Sequence, residues 1–237
     1  MPERPTEIAT GVKGTLVYPS APGVLFMHGW GGNREQYMQR AREVSSLGCL
    51  CLPFDLRGQV AGSPERERVS RADNLADAFA AYDLLARYAT DIAVIGSSYG
   101  AYLAAILTVE RPVKWLGLRA PALYEDGGWV LPKQQLHLEQ DIEGYRRATH
   151  SPDDKRALRA CRDFRGDVLI VESECDDTIP HATIASYLEA SKQARSLTYR
   201  VIRSADHGLS DDDAQHAYTA LLVRWLAEML AASLKFM

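Results

Sequence analysis

Short apolar runs alternate along the chain with segments whose apolar residues recur at helical spacing. This alternation predicts βαβ units and a mainly parallel sheet, because buried parallel strands are apolar throughout and are joined by helices. In the first twenty residues, Gly11 and Gly14 separate β-prone pieces, which predicts an antiparallel strand pair at one edge of the sheet. The later predicted strands span residues 24–27, 49–54, 92–95, 115–118, 168–171 and 197–202.

Polar residues that can cap a helix mark three of the predicted helix starts. Asn33 and Ser70 are each followed three residues later by a side chain that can complete a capping box. Ser151 precedes a proline and two acidic residues, which are typical of a first helical turn. Gly48 is predicted to end the first of these helices. Further helices are predicted at residues 101–109, 180–192 and 211–234.

Residues 121–150 interrupt this regular pattern. They contain Gly127, Gly128 and Trp129 and show no sustained helical or strand periodicity. We interpret this segment, called the insertion below, as a small lid-like addition to a single domain that spans residues 1–237.

The composition is that of one globular domain with an ample core. The 237 residues are 46% hydrophobic, 24% charged and 8% aromatic, which excludes disorder. The net charge is −4 and the lysines and arginines do not cluster, so no nucleic-acid partner is expected. The apolar stretches are strand-sized and the N-terminus lacks a signal-like apolar run, which predicts no membrane segment and a cytoplasmic location.

The four cysteines are too few and too scattered for a disulfide scaffold, and we expect them to be reduced. Cys49 and Cys51 share one face of a predicted strand, where packing is the expected role. The sequence contains no His/Cys/Glu cluster at metal-ligand spacing and no glycine-rich nucleotide cradle, so neither a metal nor an organic cofactor is predicted.

A sharp turn between a predicted strand and a predicted helix carries the first candidate for chemistry. Ser98 lies at its centre, in Gly96-Ser97-Ser98-Tyr99-Gly100. Glycines two residues either side relieve the crowding of a strained strand-to-helix turn, which exposes the central hydroxyl. The pattern alone is common, but its position after an apolar strand and before an apolar helix favours a nucleophilic serine.

With this turn and the segment His28-Gly29-Trp30-Gly31-Gly32 after an earlier strand, the sequence resembles the α/β-hydrolase family over nearly its whole length. The resemblance implies an α/β-hydrolase fold with a mostly parallel eight-stranded sheet and helices on both faces. It implies that the backbone N–H groups of Trp30 and Tyr99 form an oxyanion hole. Asp55-Leu56-Arg57-Gly58 resembles a supporting element of the family, whereas residues 58–63 depart from the family's tighter ending.

The resemblance also implies an acid after a late strand, in Asp176-Asp177-Thr178-Ile179-Pro180. Asp176 is the preferred acid because the proline follows it by four residues, and Asp177 is the alternative. Glu172 and Ser173 stand where relatives often carry histidine and glycine.

The base is expected on the loop after the last strand, where His207 lies in Ala205-Asp206-His207-Gly208. The order Ser98, Asp176, His207 along the chain is the order of this fold. The other five histidines are interpreted as structural or surface residues.

These residues together predict a serine hydrolase that cleaves small to medium carboxylic esters. The layout is similar to dienelactone-hydrolase-like enzymes and small carboxylesterases. A thioesterase or peptidase of the same fold, or a non-catalytic binding module, are the alternatives. The oligomeric state, monomer or homodimer, is left open. Beside Trp30 and Tyr99, the substrate-binding candidates are Tyr124, Trp129 and His137, whereas Arg119, Glu125 and Asp126 are predicted to be solvated.

Overall fold

An eight-stranded sheet organises the structure, a computed structural model that describes residues 2–18, 22–59 and 63–234. The strands are β1 (Glu3–Ala9), β2 (Val12–Val17), β3 (Gly23–Met27), β4 (Leu50–Phe54), β5 (Ile92–Ser97), β6 (Trp115–Arg119), β7 (Asp167–Ser173) and β8 (Ser196–Ile202). They run in the spatial order β1-β2-β4-β3-β5-β6-β7-β8. β1 pairs antiparallel with β2, β2 pairs antiparallel with β4, and all other neighbours are parallel. The predicted fold class and the antiparallel pair at the edge are therefore confirmed.

Helices cover both faces of the sheet and enclose two apolar cores. The helices are α1 (Glu35–Ser45), α2 (Pro64–Arg68), α3 (Arg71–Leu85), α4 (Tyr99–Leu107), α5 (Lys133–Glu139), α6 (Ile142–Arg147), α7 (Arg156–Asp163), α8 (His181–Ala190) and α9 (Asp212–Leu234). One core lies under α1 and α9 and includes Phe26 and Trp225; the other lies under α3, α4, α7 and α8 and includes Tyr102 and Leu158.

The start of α3 has the predicted capping box. The Ser70 side chain accepts a hydrogen bond from the Asp73 N–H at 3.1 Å, and the Asp73 carboxylate accepts one from the Ser70 N–H at 2.9 Å. Two backbone N–H groups that the helix itself leaves without acceptors are thereby satisfied.

The predicted caps at Asn33 and Ser151 are wrong. α1 begins after Arg34, and the Asn33 side chain instead accepts from the N–H two residues ahead, which forms a turn before the helix. α7 begins only at Arg156. The backbone N–H of Arg156 donates to both carboxylate oxygens of Asp126 at 3.0 Å, so a residue of the insertion caps the N-terminus of this helix. Spacing along the chain does not encode such a distant partner.

The insertion packs against the start of α3. The Lys133 N–H donates to the Val69 carbonyl at 2.9 Å, and the Ala72 N–H donates to the Trp129 carbonyl at 3.3 Å. The fully buried Arg71 donates to the Glu125 carbonyl at 2.7 Å, and its guanidinium carbon lies 5.3 Å from the ring centre of Trp129. These contacts fix the insertion to the amino-terminal end of α3.

Candidate active site

Ser98 lies in a strained turn between β5 and α4. Its backbone has φ 53° and ψ −117°, a conformation that residues other than glycine rarely adopt. Nearby backbone atoms leave no room for a side chain at either flanking glycine. A Cβ at Gly96 would lie 2.5 Å from the Gly100 carbonyl oxygen, and one at Gly100 would lie 2.3 Å from the Met27 carbonyl oxygen. The turn thus holds the serine hydroxyl at the carboxyl edge of the sheet.

The structure brings His207 and Asp176 to this hydroxyl. His207 Nε2 is 3.0 Å from Ser98 Oγ, and His207 Nδ1 is 2.8 Å from Asp176 Oδ2. The two residues lie on the loops after β8 and β7, respectively. Because parallel strands end at the same edge of the sheet, residues far apart in sequence meet here. The Asp176 side chain is 3% exposed and that of His207 is 25% exposed.

Backbone N–H groups hold the Asp176 carboxylate in place. Thr178 and Ile179 donate to its Oδ1 at 2.9 and 2.8 Å. Asp177, the alternative acid, turns away and accepts from the Thr178 hydroxyl at 3.1 Å. An acceptor at Nδ1 places the imidazole proton there, which leaves Nε2 of His207 free to accept the proton of Ser98.

The backbone N–H groups of Trp30 and Tyr99 donate to no acceptor within the described part of the chain. The loop that carries Trp30 is fixed by Gln59, whose Oε1 accepts from the Gly31 N–H at 2.8 Å. Gln59 in turn donates to the Arg57 carbonyl at 3.1 Å. Gln59 belongs to no motif recognised in the sequence, although the departure of residues 58–63 from the family pattern was a signal. Residues 60–62 lie outside the described part of the chain.

His28, which begins the same loop, is a structural residue. Its Nε2 accepts from the Leu56 N–H at 3.0 Å, and its Nδ1 donates to the Gly29 carbonyl at 2.8 Å. Burial lowers the pKa of His28, so the ring stays neutral. Asp55, on the predicted supporting element, accepts from the Arg34 N–H at 2.7 Å.

Arg119 is buried, not solvated as predicted. It is 6% exposed at the carboxyl end of β6, a central strand whose neighbours cover it. Its guanidinium donates to the Ser97 hydroxyl at 3.3 Å, to the Ser173 hydroxyl at 3.1 Å and to the His207 carbonyl at 2.7 Å. Ser173 therefore helps to hold an arginine beneath the His207 loop. Glu172 lies apart from it and contacts His181 Nδ1 at 3.0 Å.

A cleft of about 310 Å³ opens beside Ser98 and His207. Tyr124 and Trp129 do not line it, and the side chain of His137 lies outside what the structure describes. Tyr124 is 4% exposed and packs edge-on against Tyr99 at a ring separation of 5.9 Å. The cleft is lined by Gly29, Trp30, Gly31, Gly32, Gln36, Tyr37, Arg40, Ser97, Ser98, Arg119, His207, Gly208, Leu209, Gln215 and Tyr218.

Lys133 of α5 fills the space on the other side of Trp30. Its ammonium lies 4.0 Å from the ring centre of Trp30, 4.7 Å from that of Tyr99 and 5.1 Å from that of Tyr124. Burial, with the nearby charges of Arg146, Arg71 and Arg66, lowers the pKa of Lys133 well below its usual value. No motif in the sequence marks this lysine.

Among the described residues, no group of three or more His, Cys, Asp or Glu side chains is arranged to hold a metal ion. None of the helices in the described ranges is long and apolar enough to cross a membrane. The four cysteines are free, and only Cys175 is exposed. Burial raises the pKa of Cys49 to about 11 and that of Cys161 to about 12, so neither is a reactive thiolate.

The sequence matches the profile described as the Alpha/beta hydrolase family over residues 24–221. Two strains of Mycobacterium tuberculosis each have a relative, described as an uncharacterized protein, that is 32% identical over 198 residues. Each match covers 79% of this chain and 63% of the relative. The chain therefore spans less than two thirds of the length of these relatives.

Solved structures share the fold. A dienelactone hydrolase from Anabaena variabilis has a TM-score of 0.67 at 19% identity, with 96% of this chain and 97% of the other covered. Est1E from Butyrivibrio proteoclasticus, bound to ferulic acid, has a TM-score of 0.70 at 19% identity, with 93% and 97% covered. At these identities the likeness establishes a common architecture.

Proposed function

Because the chain belongs to the alpha/beta hydrolase family, we propose that it is a serine hydrolase that cleaves small to medium carboxylic esters. The observation that carries this proposal is the hydrogen-bonded series from Ser98 Oγ through His207 to Asp176, with separations of 3.0 and 2.8 Å. A serine, a base within reach of it and a carboxylate that orients the base are the parts that acyl transfer requires.

In the first half of the reaction, His207 Nε2 takes the proton of Ser98 as Oγ forms a bond to the ester carbonyl carbon. Asp176 holds the imidazole in position and stabilises the imidazolium that results. The ester C–O bond then breaks, and His207 returns the proton to the departing alkoxide. The products of this half are an alcohol and an acyl group on Ser98.

In the second half, water attacks the acyl carbon while His207 takes one of its protons. The bond to Ser98 Oγ breaks, the serine regains its proton from His207, and a carboxylic acid leaves. In both halves the carbonyl oxygen becomes negatively charged. The Trp30 and Tyr99 N–H groups are the proposed donors for this charge, and removal of one such donor typically costs about 3–4 kcal/mol of transition-state stabilisation.

The size of the cleft and the structural relatives support an ester as the substrate. A cleft of about 310 Å³ is at the small end of the range for ligand sites. Two proteins that share the architecture are a dienelactone hydrolase and Est1E, seen with ferulic acid. A lactone is a cyclic ester and ferulic acid is a small carboxylic acid, which favours an ester over a peptide bond.

Two measurements test the proposal: labelling with a fluorophosphonate probe, and hydrolysis of p-nitrophenyl esters from acetate to octanoate. We expect the wild type to be labelled and to hydrolyse the shorter esters. Ser98→Ala should lose both properties, and His207→Ala should lose nearly all turnover.

Ser151→Ala is the control, because Ser151 is exposed and lies outside both the cleft and the series of Ser98, His207 and Asp176. Labelling of Ser98→Ala would contradict the assignment of the nucleophile. A folded wild-type protein that neither reacts with the probe nor hydrolyses any ester would favour the binding-module alternative.

A further inference from the structure

Two buried arginines line the cleft beside Ser98. Arg40 on α1 is 8% exposed, and Arg119 at the end of β6 is 6% exposed. Both line the same cleft as Ser98 and His207. A buried guanidinium is normally paired with a carboxylate, because an uncompensated charge is costly to remove from water.

Neither arginine forms an ion pair with a carboxylate of the described residues. Arg40 Nη1 donates to the Gln36 carbonyl at 2.9 Å, and its Nε is buried with no hydrogen-bond partner. The three hydrogen bonds of Arg119 all go to neutral oxygens. A guanidinium has five N–H groups, so donors remain on both side chains.

The groups around the two arginines balance their charge only in part. Hydrogen bonds from Ser210 and, less strongly, the charge of Arg119 lower the pKa of Asp206, but its carboxylate is bonded to Ser210 and forms no ion pair with the arginine. The Tyr218 ring packs against both arginines, with its centre 5.0 Å from the Arg40 guanidinium carbon and 5.9 Å from that of Arg119. Burial raises the pKa of Tyr218 to about 12, so its hydroxyl is neutral at physiological pH. Glu35 and Asp212 line a neighbouring cleft of about 180 Å³ that also includes Arg40, but neither pairs with it.

We propose that this cleft binds a carboxylate of the substrate, so that the preferred substrates are small esters that carry a free carboxylate in their acyl or alcohol part. The proposal rests on the serine hydrolase function proposed above. A planar carboxylate in this cleft can accept from the remaining N–H donors of a guanidinium group, and such charge-assisted bonds are stronger than those between neutral groups. The hydrolysis itself proceeds as described for any ester.

The kinetic test compares charged and neutral esters of similar size. The pairs are monomethyl glutarate with methyl pentanoate, and acetoxyacetate with its methyl ester. We expect the wild type to hydrolyse the charged member with a kcat/KM at least about tenfold higher, the effect of one or two charge-assisted hydrogen bonds. In Arg40→Gln this ratio should fall toward one.

Arg42→Gln is the matched control. Arg42 lies on the same helix, but it is exposed and pairs with Glu3 on the surface, so its replacement should leave the charged-to-neutral ratio unchanged. Arg40→Lys, which keeps the charge and loses the planar donors, should give an intermediate ratio. Thermal unfolding of each variant verifies that it is folded. A ratio that is the same in wild type and Arg40→Gln would overturn the proposal.

A binding measurement separates failure of this proposal from failure of the serine hydrolase assignment. Glutarate is titrated calorimetrically into Ser98→Ala, which cannot react. We expect a Kd of about 1 mM or lower, weakened at least about tenfold by the additional change Arg40→Gln and unaffected by Arg42→Gln. Glutarate that does not bind, or that binds equally well without Arg40, would overturn the carboxylate site even if neutral esters are hydrolysed.

Discussion

At the scale of single residues, small differences in position separate a proposed catalytic group from its neighbour. Asp176 and Asp177 are adjacent and have the same side chain, yet only Asp176 receives two backbone N–H bonds and contacts His207. Ser97 and Ser98 differ in the same way, because only Ser98 occupies the strained turn. Backbone conformation, more than side-chain chemistry, decides which residue of each pair is placed to act.

Replacement of Asp176 by Asn should lower kcat for ester hydrolysis by about ten-thousand-fold, because the imidazole would lose the acceptor that fixes its proton on Nδ1. Asp177→Asn should leave kcat within about twofold, since an exposed carboxylate interacts weakly with its surroundings. Steady-state kinetics on one short ester measure both. A larger loss in the second variant than in the first would assign the acid to Asp177.

Gly100→Ala should destabilise the protein and impair Ser98. The new methyl group would lie 2.3 Å from the Met27 carbonyl oxygen and 2.5 Å from that of His28, and backbone cannot easily move aside. We expect a loss of about 1–3 kcal/mol in the free energy of unfolding, with reduced fluorophosphonate labelling. Gly127→Ala is the control, because its Cβ would meet nothing within 4 Å. Urea unfolding of the two variants should therefore differ clearly.

At the scale of elements, the predictions succeeded where the determining contacts are local. The capping box of α3 involves residues three apart, and the sequence identified it. The start of α7 depends on Asp126, which lies 30 residues away in the insertion, and the sequence placed the start too early. The buried position of Arg119 depends likewise on two neighbouring strands and on the loop of His207.

The two serines expected to cap helices provide a direct comparison. Ser70→Ala removes a side chain that accepts from the Asp73 N–H and should cost about 1 kcal/mol of unfolding free energy. Ser151→Ala should change it by less than about 0.5 kcal/mol, because Ser151 is exposed and caps no helix. Chemical denaturation monitored by circular dichroism measures both values. Equal losses would mean that α7 begins earlier than the structure places it.

The same distinction explains how much of the site could be foreseen. Ser98, Asp176 and His207 each lie just after a strand, in a motif of a few residues, so the sequence placed them at one edge of the sheet. Gln59 and Arg40 carry no such motif. Gln59 reaches the site from an irregular loop and Arg40 from the side of a helix. Their contacts depend on segments that are distant in sequence, so the local sequence does not reveal them.

At the scale of the whole molecule, the buried Lys133 makes stability depend on pH. Its pKa is lowered in the folded protein, mainly by burial, from the usual value of 10.5. Below pH 10.5 the unfolded chain therefore binds this proton more readily than the folded one, and the free energy of unfolding falls as the pH falls. This loss of stability arises in the insertion, where Lys133 of α5 lies against Trp30.

Lys133→Met should therefore stabilise the protein at pH 7 by about 1–4 kcal/mol, the range found when buried ion pairs are replaced by apolar side chains of similar volume. The difference between variant and wild type should shrink as the pH rises toward and beyond 10.5, because the lysine of the unfolded chain then loses its proton as well. Urea unfolding at a series of pH values measures this difference. A difference that is constant from pH 7 to pH 10 would mean that Lys133 keeps its usual affinity for protons.

The separation of the three central residues along the chain has a consequence for folding kinetics. Ser98 and His207 are 109 residues apart in sequence, and their loops meet only when the parallel strands between them have paired in register. Long-range parallel pairing is slow, whereas helices form early. After dilution from denaturant, helical circular dichroism should return first and esterase activity later, so that the recovery of turnover would time the final closure of the sheet.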